Sequence, residues 1–282
     1  MRFISLLTDR SDLPGMLRDF DEELTQIENM HRYVVQASER DFEAACEKLS
    51  EGVDPETFDM GDIVSLAEEQ VGIAPWDVAS HSGLMAISRA ASLAEVMLAR
   101  MPAQYLIEPE RWVFPRNGLW PRQWEATFYR TVLKTPYRTD SELFAAIRAL
   151  RDLYAHGYGV PATEQRRTRI AEVLHRHVDA GPATDGETRL GYGGGVYFFG
   201  WDSSYSTMQR KVTSGWSMSR RADISPLATY RLLIATKEHV HAAYAALMGG
   251  FHDDLDEANC KFIKIVLADE SRRRTSQPLS RT

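Results

Sequence analysis

The chain has 282 residues and a mass of 32.0 kDa, and hydrophobic residues make up 44% of it, which is enough apolar surface for a substantial core. Charged residues make up 26%, and the sequence contains no run of 18 or more apolar residues, so we expect neither intrinsic disorder nor a membrane span. The apolar stretch before Asp9 is too short for the core of a signal peptide. We therefore predict a soluble protein of the cytoplasm.

The cysteine count and the charge distribution narrow the classes further. Cys46 and Cys260 belong to no C-x-x-C motif, which excludes a disulfide framework and a cysteine-based zinc site. Residues 1–100 hold 8 Lys and Arg against 20 Asp and Glu, net −12, and residues 101–282 hold the other 25 and 20, net +5. Of the 33 basic residues 27 are arginines, which pair with phosphate in a bidentate fork. This permits a nucleic-acid partner, although a G+C-rich genome would produce the same bias.

The first part of the chain has the apolar periodicity of long helices. Apolar residues recur every three or four positions, which predicts an acidic helix over 12–50. A short helix near 62–71 follows, and a second long helix is predicted to start after Pro75 and to end near Met101. We expect the two long helices to pair antiparallel.

Two further helices are marked by their ends. Thr139 to Glu142 match a capping box, in which the threonine hydroxyl and the glutamate side chain satisfy backbone N–H groups at a helix start. This predicts a helix over 140–156, with Gly157 as the residue that terminates it. Another helix is predicted over 163–179.

The composition changes in the last third of the chain. Residues 186–221 are rich in glycine, serine and aromatic residues, which favours an irregular packed segment or short strands. Helical spacing returns from Pro226 to Met248, and a last helix is expected over 253–270. The basic tail 271–282 is predicted to be disordered.

Together these elements predict a mostly α fold with long antiparallel helices and a small irregular or β insert near 186–221. The predicted domains are a helical bundle over 10–180, a C-terminal extension over 181–270 that packs on it, and the tail.

Three polar residues fall near the C-terminal end of the helix over 140–156. Asp152 and His156 are four residues apart, so the carboxylate can hydrogen-bond one imidazole nitrogen and favour the protonated ring. Arg151 precedes the histidine by five residues, about 7.5 Å along the axis, and an extended arginine can span that distance to share a phosphate. Proton transfer by a histidine and charge stabilisation by an arginine are sufficient for RNA cleavage without a metal ion.

The spacing alone also suits a structural role. An exposed helix end can carry an Asp–His pair and a solvated arginine that take part in no chemistry. On spacing alone, this structural interpretation is favoured.

The segment from Arg151 to His156, RDLYAH, resembles the signature of the HEPN superfamily: an arginine, a polar residue, three further residues and a histidine, carried by helical domains. HEPN domains are frequently ribonucleases that need no metal. Asp152 directly after the arginine, the helix-ending Gly157 and the helical context strengthen the resemblance. With Tyr158 added, the motif is similar to that of HEPN toxins whose partner is a minimal nucleotidyltransferase antitoxin, which modifies the tyrosine.

The resemblance implies roles for four residues. Arg151 and His156 would be catalytic, Asp152 would orient the histidine, and Tyr158 would line the site or accept the neutralising adduct. It further implies an RNA substrate, a homodimer with two motifs in a shared cleft, no cofactor, and a role as a toxin or antiviral-defence effector. The resemblance covers about residues 10–180, and the remainder of the chain matches nothing in the family.

The alternative class is a non-catalytic HEPN-like module that binds RNA, a nucleotide or a protein. Candidate RNA-binding cations are Arg148, Arg166, Arg167, Arg210 and Lys211. Nearby aromatic residues can stack on single-stranded bases, although core packing is the favoured interpretation for them: Tyr197, Phe198, Phe199, Trp201 and Tyr205. The glycine-rich stretch 191–195 is followed by no Gly-Lys-Ser or Gly-Lys-Thr and is interpreted as a turn.

Overall fold

The structure, a computed structural model, describes residues 13–51, 59–105, 122–131, 134, 141–157, 163–199 and 222–249. These parts of the chain are mostly helical, which confirms that the fold is mostly α, and they contain no strand. Within the predicted irregular or β insert, the described portion holds one short helix and irregular chain. The rest of that insert, the helix predicted over 253–270 and the tail lie outside the described residues, and the predicted division into domains stays a prediction.

The described residues form eight helices: α1 (Leu13–Ser50), α2 (Met60–Val71), α3 (Pro75–Tyr105), α4 (Arg122–Thr131), α5 (Glu142–Gly157), α6 (Glu164–His177), α7 (Asp185–Arg189) and α8 (Pro226–Gly249). Six of them begin and end within a few residues of the predicted limits. The sequence patterns did not predict α4 and α7, which are the two shortest.

The helix starts depend on side-chain caps. Helix α5 begins at Glu142, where the Ser141 hydroxyl accepts a hydrogen bond from the Phe144 backbone N–H at 3.3 Å. The cap is therefore Ser141, because a capping hydroxyl accepts from the N–H three residues further on, and the predicted Thr139 lies outside the described residues. The capping box that the sequence does contain in this half of the chain belongs to α7, where Thr184 and Glu187 bond each other's backbone N–H groups.

Residues Pro75–Met101 of α3 are long and apolar enough to cross a membrane by length and hydropathy. Of the apolar window, 61% is buried inside the structure. The core helix of a soluble protein passes the same test, so this finding assigns no membrane role.

The chain divides into two compact units. The first consists of Met1–Glu22, Ser92–Ala145 and Thr236–Thr282, and the second of Glu23–Ala91 and Ala146–Ala235.

In the first unit, aromatic residues connect the helices. The fully buried Tyr129 of α4 donates its hydroxyl proton to the Leu98 carbonyl of α3 at 2.8 Å. Phe144 of α5 stacks on His239 of α8, with ring centroids 5.1 Å apart. Each ring combines apolar burial with a defined partner, so these contacts fix the helices more specifically than aliphatic packing alone.

In the second unit, α1 and α3 run antiparallel. Three contacts show this, because the residue numbers rise along α1 while those of the partners fall along α3: Glu23 with Arg89, His31 with Ser82, and Phe42 with Trp76. The two helices thus share a long common face, which matters for the candidate site.

Helix α3 comes unusually close to the start of α8 within the second unit. A Cβ atom at Gly83 would clash with Oγ1 of Thr229 and lie 3.1 Å from Cγ2 of Ile224. The Thr229 hydroxyl is buried and donates to the Ser225 carbonyl at 3.1 Å, so it cannot move aside without losing that bond. Close packing at this point therefore requires a residue without a side chain.

We expect Gly83→Ala to lower the free energy of unfolding by about 1 to 3 kcal/mol, because the added methyl group overpacks the contact with Thr229. Gly195→Ala is the matched control, since a Cβ there meets nothing within 4 Å. Urea denaturation of the two variants checks this. Equal stabilities would show that α3 and α8 have room to separate.

The guanidinium of Arg231 in α8 bonds Glu187 of α7 and the backbone between α6 and α7. Its Nε and Nη2 donate to the two carboxylate oxygens of Glu187, both at 2.8 Å. Its remaining donors bond the carbonyls of Asp179, Gly181 and Pro182. Both side chains are nearly buried, and the guanidinium holds the pKa of Glu187 at about 2.

We expect Arg231→Gln to lower the free energy of unfolding by about 3 kcal/mol, because it leaves the Glu187 carboxylate and three carbonyls without their donor. Arg189→Gln, at an exposed position in α7, should change stability little. Thermal or urea denaturation at neutral pH distinguishes the two. A mild effect of Arg231→Gln would mean that water replaces the lost donors.

The backbone before and after residues 200–221 is held together. The Asp223 N–H donates to the Phe198 carbonyl and the Ser225 N–H to the Tyr197 carbonyl, both at 3.2 Å. The Ser225 hydroxyl accepts from the Tyr197 N–H at 3.3 Å. These bonds hold Tyr197 and Phe198 beside the start of α8.

Candidate functional site

The C-terminal end of α5 carries the residues that the sequence singled out. The helical backbone continues through His156 to Gly157, as predicted. Arg151 and Asp152 lie in the last two turns, on the part of α5 that belongs to the second unit.

Arg151 and Asp152 form an ion pair. The Nη2 and Nε atoms of Arg151 donate to Oδ1 of Asp152 at 3.0 and 3.2 Å. The side chains are 21% and 44% exposed, respectively, so the pair is accessible to a ligand. The carboxylate therefore orients the arginine, a contact that the sequence did not predict.

For the other two motif residues, His156 and Tyr158, the structure describes no side chain. The side chain of His156 and all of Tyr158 lie outside the described residues. The contact between Asp152 and His156, and the position of Tyr158, stay predictions.

The basic candidates occupy two helices. Arg148 is half-buried on α5, one turn before Arg151. Arg166 is exposed and Arg167 half-buried in the first turns of α6, which Thr163 caps by accepting the Arg166 backbone N–H at 3.2 Å. Because only residues 158–163 connect α5 to α6, the facing ends of the two helices lie at most about 25 Å apart. Arg210 and Lys211 fall outside the described residues.

Among the aromatic candidates that the structure describes, Phe198 is too buried for a stacking surface. Phe198 is 1% exposed and packs against the His175 ring, with centroids 4.9 Å apart. Tyr197 is half-buried, and burial raises the pKa of its phenol to about 12. Phe198 is therefore a core residue and is unavailable to a base. Trp201 and Tyr205 lie beyond the part of the chain that the structure describes.

The structure also contains an apolar groove that the sequence did not predict. It has a volume of about 350 Å³ and lies between α1 and α3 in the second unit. We call it the α1–α3 groove, and the residues that line it are Ile27, Met30, His31, Val34, Ile73, Val78, His81, Ser82, Met85, Ala86 and Arg89. Its volume falls in the range of small-molecule sites.

A buried histidine forms the polar part of this groove. His31 is 2% exposed, and burial lowers the pKa of its imidazole to about 4, so the ring is neutral at physiological pH. Ser82 donates its hydroxyl proton to the Ala79 carbonyl at 3.1 Å, so its oxygen accepts the second bond, 2.9 Å from Nδ1 of His31. These two bonds assign the proton of the neutral ring to Nδ1 and leave Nε2 as an acceptor.

One imidazole ring links the groove to α5, the motif helix, which carries Arg151 and Asp152. His81 lines the groove and packs on Tyr154 of α5, with ring centroids 6.3 Å apart. Both residues belong to the second unit.

The sequence contained part of the signal for this groove. His31 lies four residues after Ile27 and three before Val34, so it falls on the apolar stripe of α1 and must be buried with it. Met30 and Met85 are 64% and 59% exposed, and this exposure depends on how far apart the helices lie. Periodicity does not report that distance.

Among the described residues, no group of three or more His, Cys, Asp and Glu side chains is arranged to hold a metal ion. The chain was also compared with protein-family models, curated proteins and solved structures, and nothing matched it. The resemblance to HEPN proteins therefore depends on residues 151–158 and on the helical fold.

We expect the protein to lose stability as the pH falls from 6.5 towards 4, because unfolded His31 binds a proton in this range and folded His31 does not. Between pH 7 and pH 5 the loss from this residue should be about 2 kcal/mol. Urea denaturation at both pH values checks this, with His31→Gln expected to reduce the pH dependence by that amount and His177→Gln, at an exposed position, to leave it unchanged. Parallel pH profiles for wild type and His31→Gln would contradict it.

Proposed function

We propose that the chain is a metal-independent endoribonuclease of the HEPN type that acts in the cytoplasm as a homodimer. Arg151 and His156 carry the chemistry, and Asp152 holds the arginine. In this proposal the protein is a toxin or antiviral-defence effector, and a nucleotidyltransferase antitoxin that modifies Tyr158 is its partner.

The observation that carries the proposal is the Arg151–Asp152 ion pair at the end of α5. A guanidinium anchored by a carboxylate at 3.0 Å keeps one orientation, and the pair is exposed enough for an RNA phosphate to reach it. The helical backbone continues one further turn to His156, which brings that residue to the same end of the helix. The helical fold and the sequence resemblance support the same conclusion.

In the proposed reaction, His156 accepts the proton of a ribose 2′-hydroxyl. The 2′-oxygen attacks the adjacent phosphorus, and Arg151 stabilises the negative charge of the pentacoordinate phosphate. The bond between phosphorus and O5′ breaks, and the imidazolium returns a proton to O5′. The products are a 2′,3′-cyclic phosphate and a 5′-hydroxyl.

Electrostatics near α6 support an RNA substrate. Arg166 and Arg167 lie in its first turn, and the ends of α5 and α6 that face each other are at most about 25 Å apart. Helix N-termini attract phosphate, and these arginines add charge of the same sign. RNA that reaches Arg151 can therefore be held further along its backbone.

The second candidate function is a non-catalytic binding module. It is favoured by the two bonds that Arg151 already makes to Asp152, since a structural ion pair at a helix end needs no substrate. In such a module the arginine would contribute affinity and the histidine would contribute nothing to turnover.

Incubation of purified protein with mixed cellular RNA in EDTA tests the proposal. We expect the wild type to produce fragments with 2′,3′-cyclic phosphate ends, and His156→Ala and Arg151→Ala to cut at least about a hundredfold more slowly. His177→Ala and Arg189→Gln are matched controls, because both replace exposed residues at the ends of other helices. RNA affinity, measured in parallel, should change little in His156→Ala.

Two outcomes would contradict the ribonuclease proposal. Equal cleavage by wild type and His156→Ala would assign the activity to a contaminant. No cleavage, together with RNA affinity that falls in Arg151→Ala, would assign the protein to the binding-module class.

A further inference from the structure

The α1–α3 groove is elongated. From Val78 to Arg89 its lining extends over twelve residues of α3, which is about 16 Å along the helix axis. The antiparallel α1 contributes the opposite wall, from Ile27 to Val34. A groove of this shape accommodates a chain better than a compact ring system.

The groove is chemically uniform along most of its length. The hydroxyl of Ser82 and Nδ1 of His31 are bonded to each other, and Nε2 of His31 is buried with almost no accessible surface, so these groups offer an occupant little hydrogen bonding. Neutral His31 contributes no charge. A polar occupant would lose its hydration here without compensation, so the occupant must be hydrocarbon along this part.

The two ends of the groove differ in charge. Arg89 lies at one end, and Val78 lies at the other with the neighbouring Ile73. The Arg89 side chain is 52% exposed, and its contact with Glu23 is long at 3.4 Å, so it remains accessible to an anion from solvent. A guanidinium binds a carboxylate in a bidentate manner. The charge pattern therefore fits a molecule with an apolar chain and one anionic end.

Two further observations bear on the occupant. Met30 and Met85 are largely exposed at the groove, and their flexible side chains can close over hydrocarbon of varied shape.

The first 100 residues carry a net charge of −12, so two copies of this acidic region would repel each other. This disfavours a second copy of the chain as the occupant.

We propose that the α1–α3 groove binds a free, single-chain fatty carboxylate, with its hydrocarbon tail between α1 and α3 and its carboxylate on Arg89. This site is separate from Arg151 and His156, and the proposal does not depend on the ribonuclease activity.

Isothermal titration calorimetry of the full chain with octanoate, decanoate and dodecanoate, each below its micelle concentration, tests the proposal. Affinity should rise about fourfold for each additional buried CH₂ group until the tail exceeds the groove. Decanol should bind about tenfold more weakly than decanoate, because it lacks the charge that pairs with Arg89.

Variants locate the site. Met85→Trp fills the groove and should abolish binding, whereas Met60→Trp, at a still more exposed methionine outside the lining, should leave it unchanged. Arg89→Gln should reduce the affinity for decanoate to that for decanol and leave decanol binding unchanged. Arg40→Gln, an exposed arginine of α1 outside the groove, is its control. Circular dichroism verifies folding, and if Met85→Trp does not fold, the Arg89→Gln comparison decides.

Several results would overturn the proposal. These are absence of binding by all three carboxylates, affinity that does not depend on chain length, or equal binding by Met85→Trp and Met60→Trp. Sedimentation that shows a wild-type dimer and a Met85→Trp monomer would instead assign the groove to a second copy of the chain. Binding to phospholipid vesicles without binding of free carboxylates would assign it to a membrane.

Discussion

The hydrogen bonds of the Arg231 guanidinium are the interaction on which the second unit most depends. The N–H groups of this one planar side chain bond the carboxylate of Glu187 and three backbone carbonyls between Asp179 and Pro182, just after α6. Lysine has neither the number nor the fixed geometry of these donors. Between α6 and α7 the chain has no regular structure, so its carbonyls lack helical partners, and the arginine supplies the donors that a helix would otherwise provide. Tyr192, which follows α7, then stacks on Tyr230, the neighbour of Arg231.

The limits of the long helices could be predicted because periodicity and caps are local properties. Leu13, Pro75 and Pro226 begin helices where the apolar spacing starts. The role of Arg231 could not be predicted, because its partners are 44 or more residues away in sequence and three of them are backbone carbonyls. Gly83 is a similar case: a glycine inside a helical pattern normally weakens the helix, and only the position of Thr229 explains why one is required.

For the candidate site, the sequence likewise predicted the helix but not the contacts that its side chains make. The helix that carries Arg151 and Asp152, and the glycine that ends it, follow from spacing. The partner of Asp152 does not, because adjacent residues on a helix seldom face each other and the arginine reaches its neighbour by folding back. The α1–α3 groove requires knowledge of how far two helices lie apart, which one sequence without its fold does not provide. His81 shows why the distinction matters, since one imidazole contacts both the groove and Tyr154 of the motif helix.

The paired backbone at Tyr197 and Ser225 has a consequence for the start of α8. The Tyr197 carbonyl accepts the Ser225 N–H, and the Ser225 hydroxyl accepts bonds from the N–H groups of Tyr197 and Ala228. One serine therefore both caps α8 and attaches Tyr197 to it. Selection on either of these contacts acts on the other, because the same hydroxyl makes both.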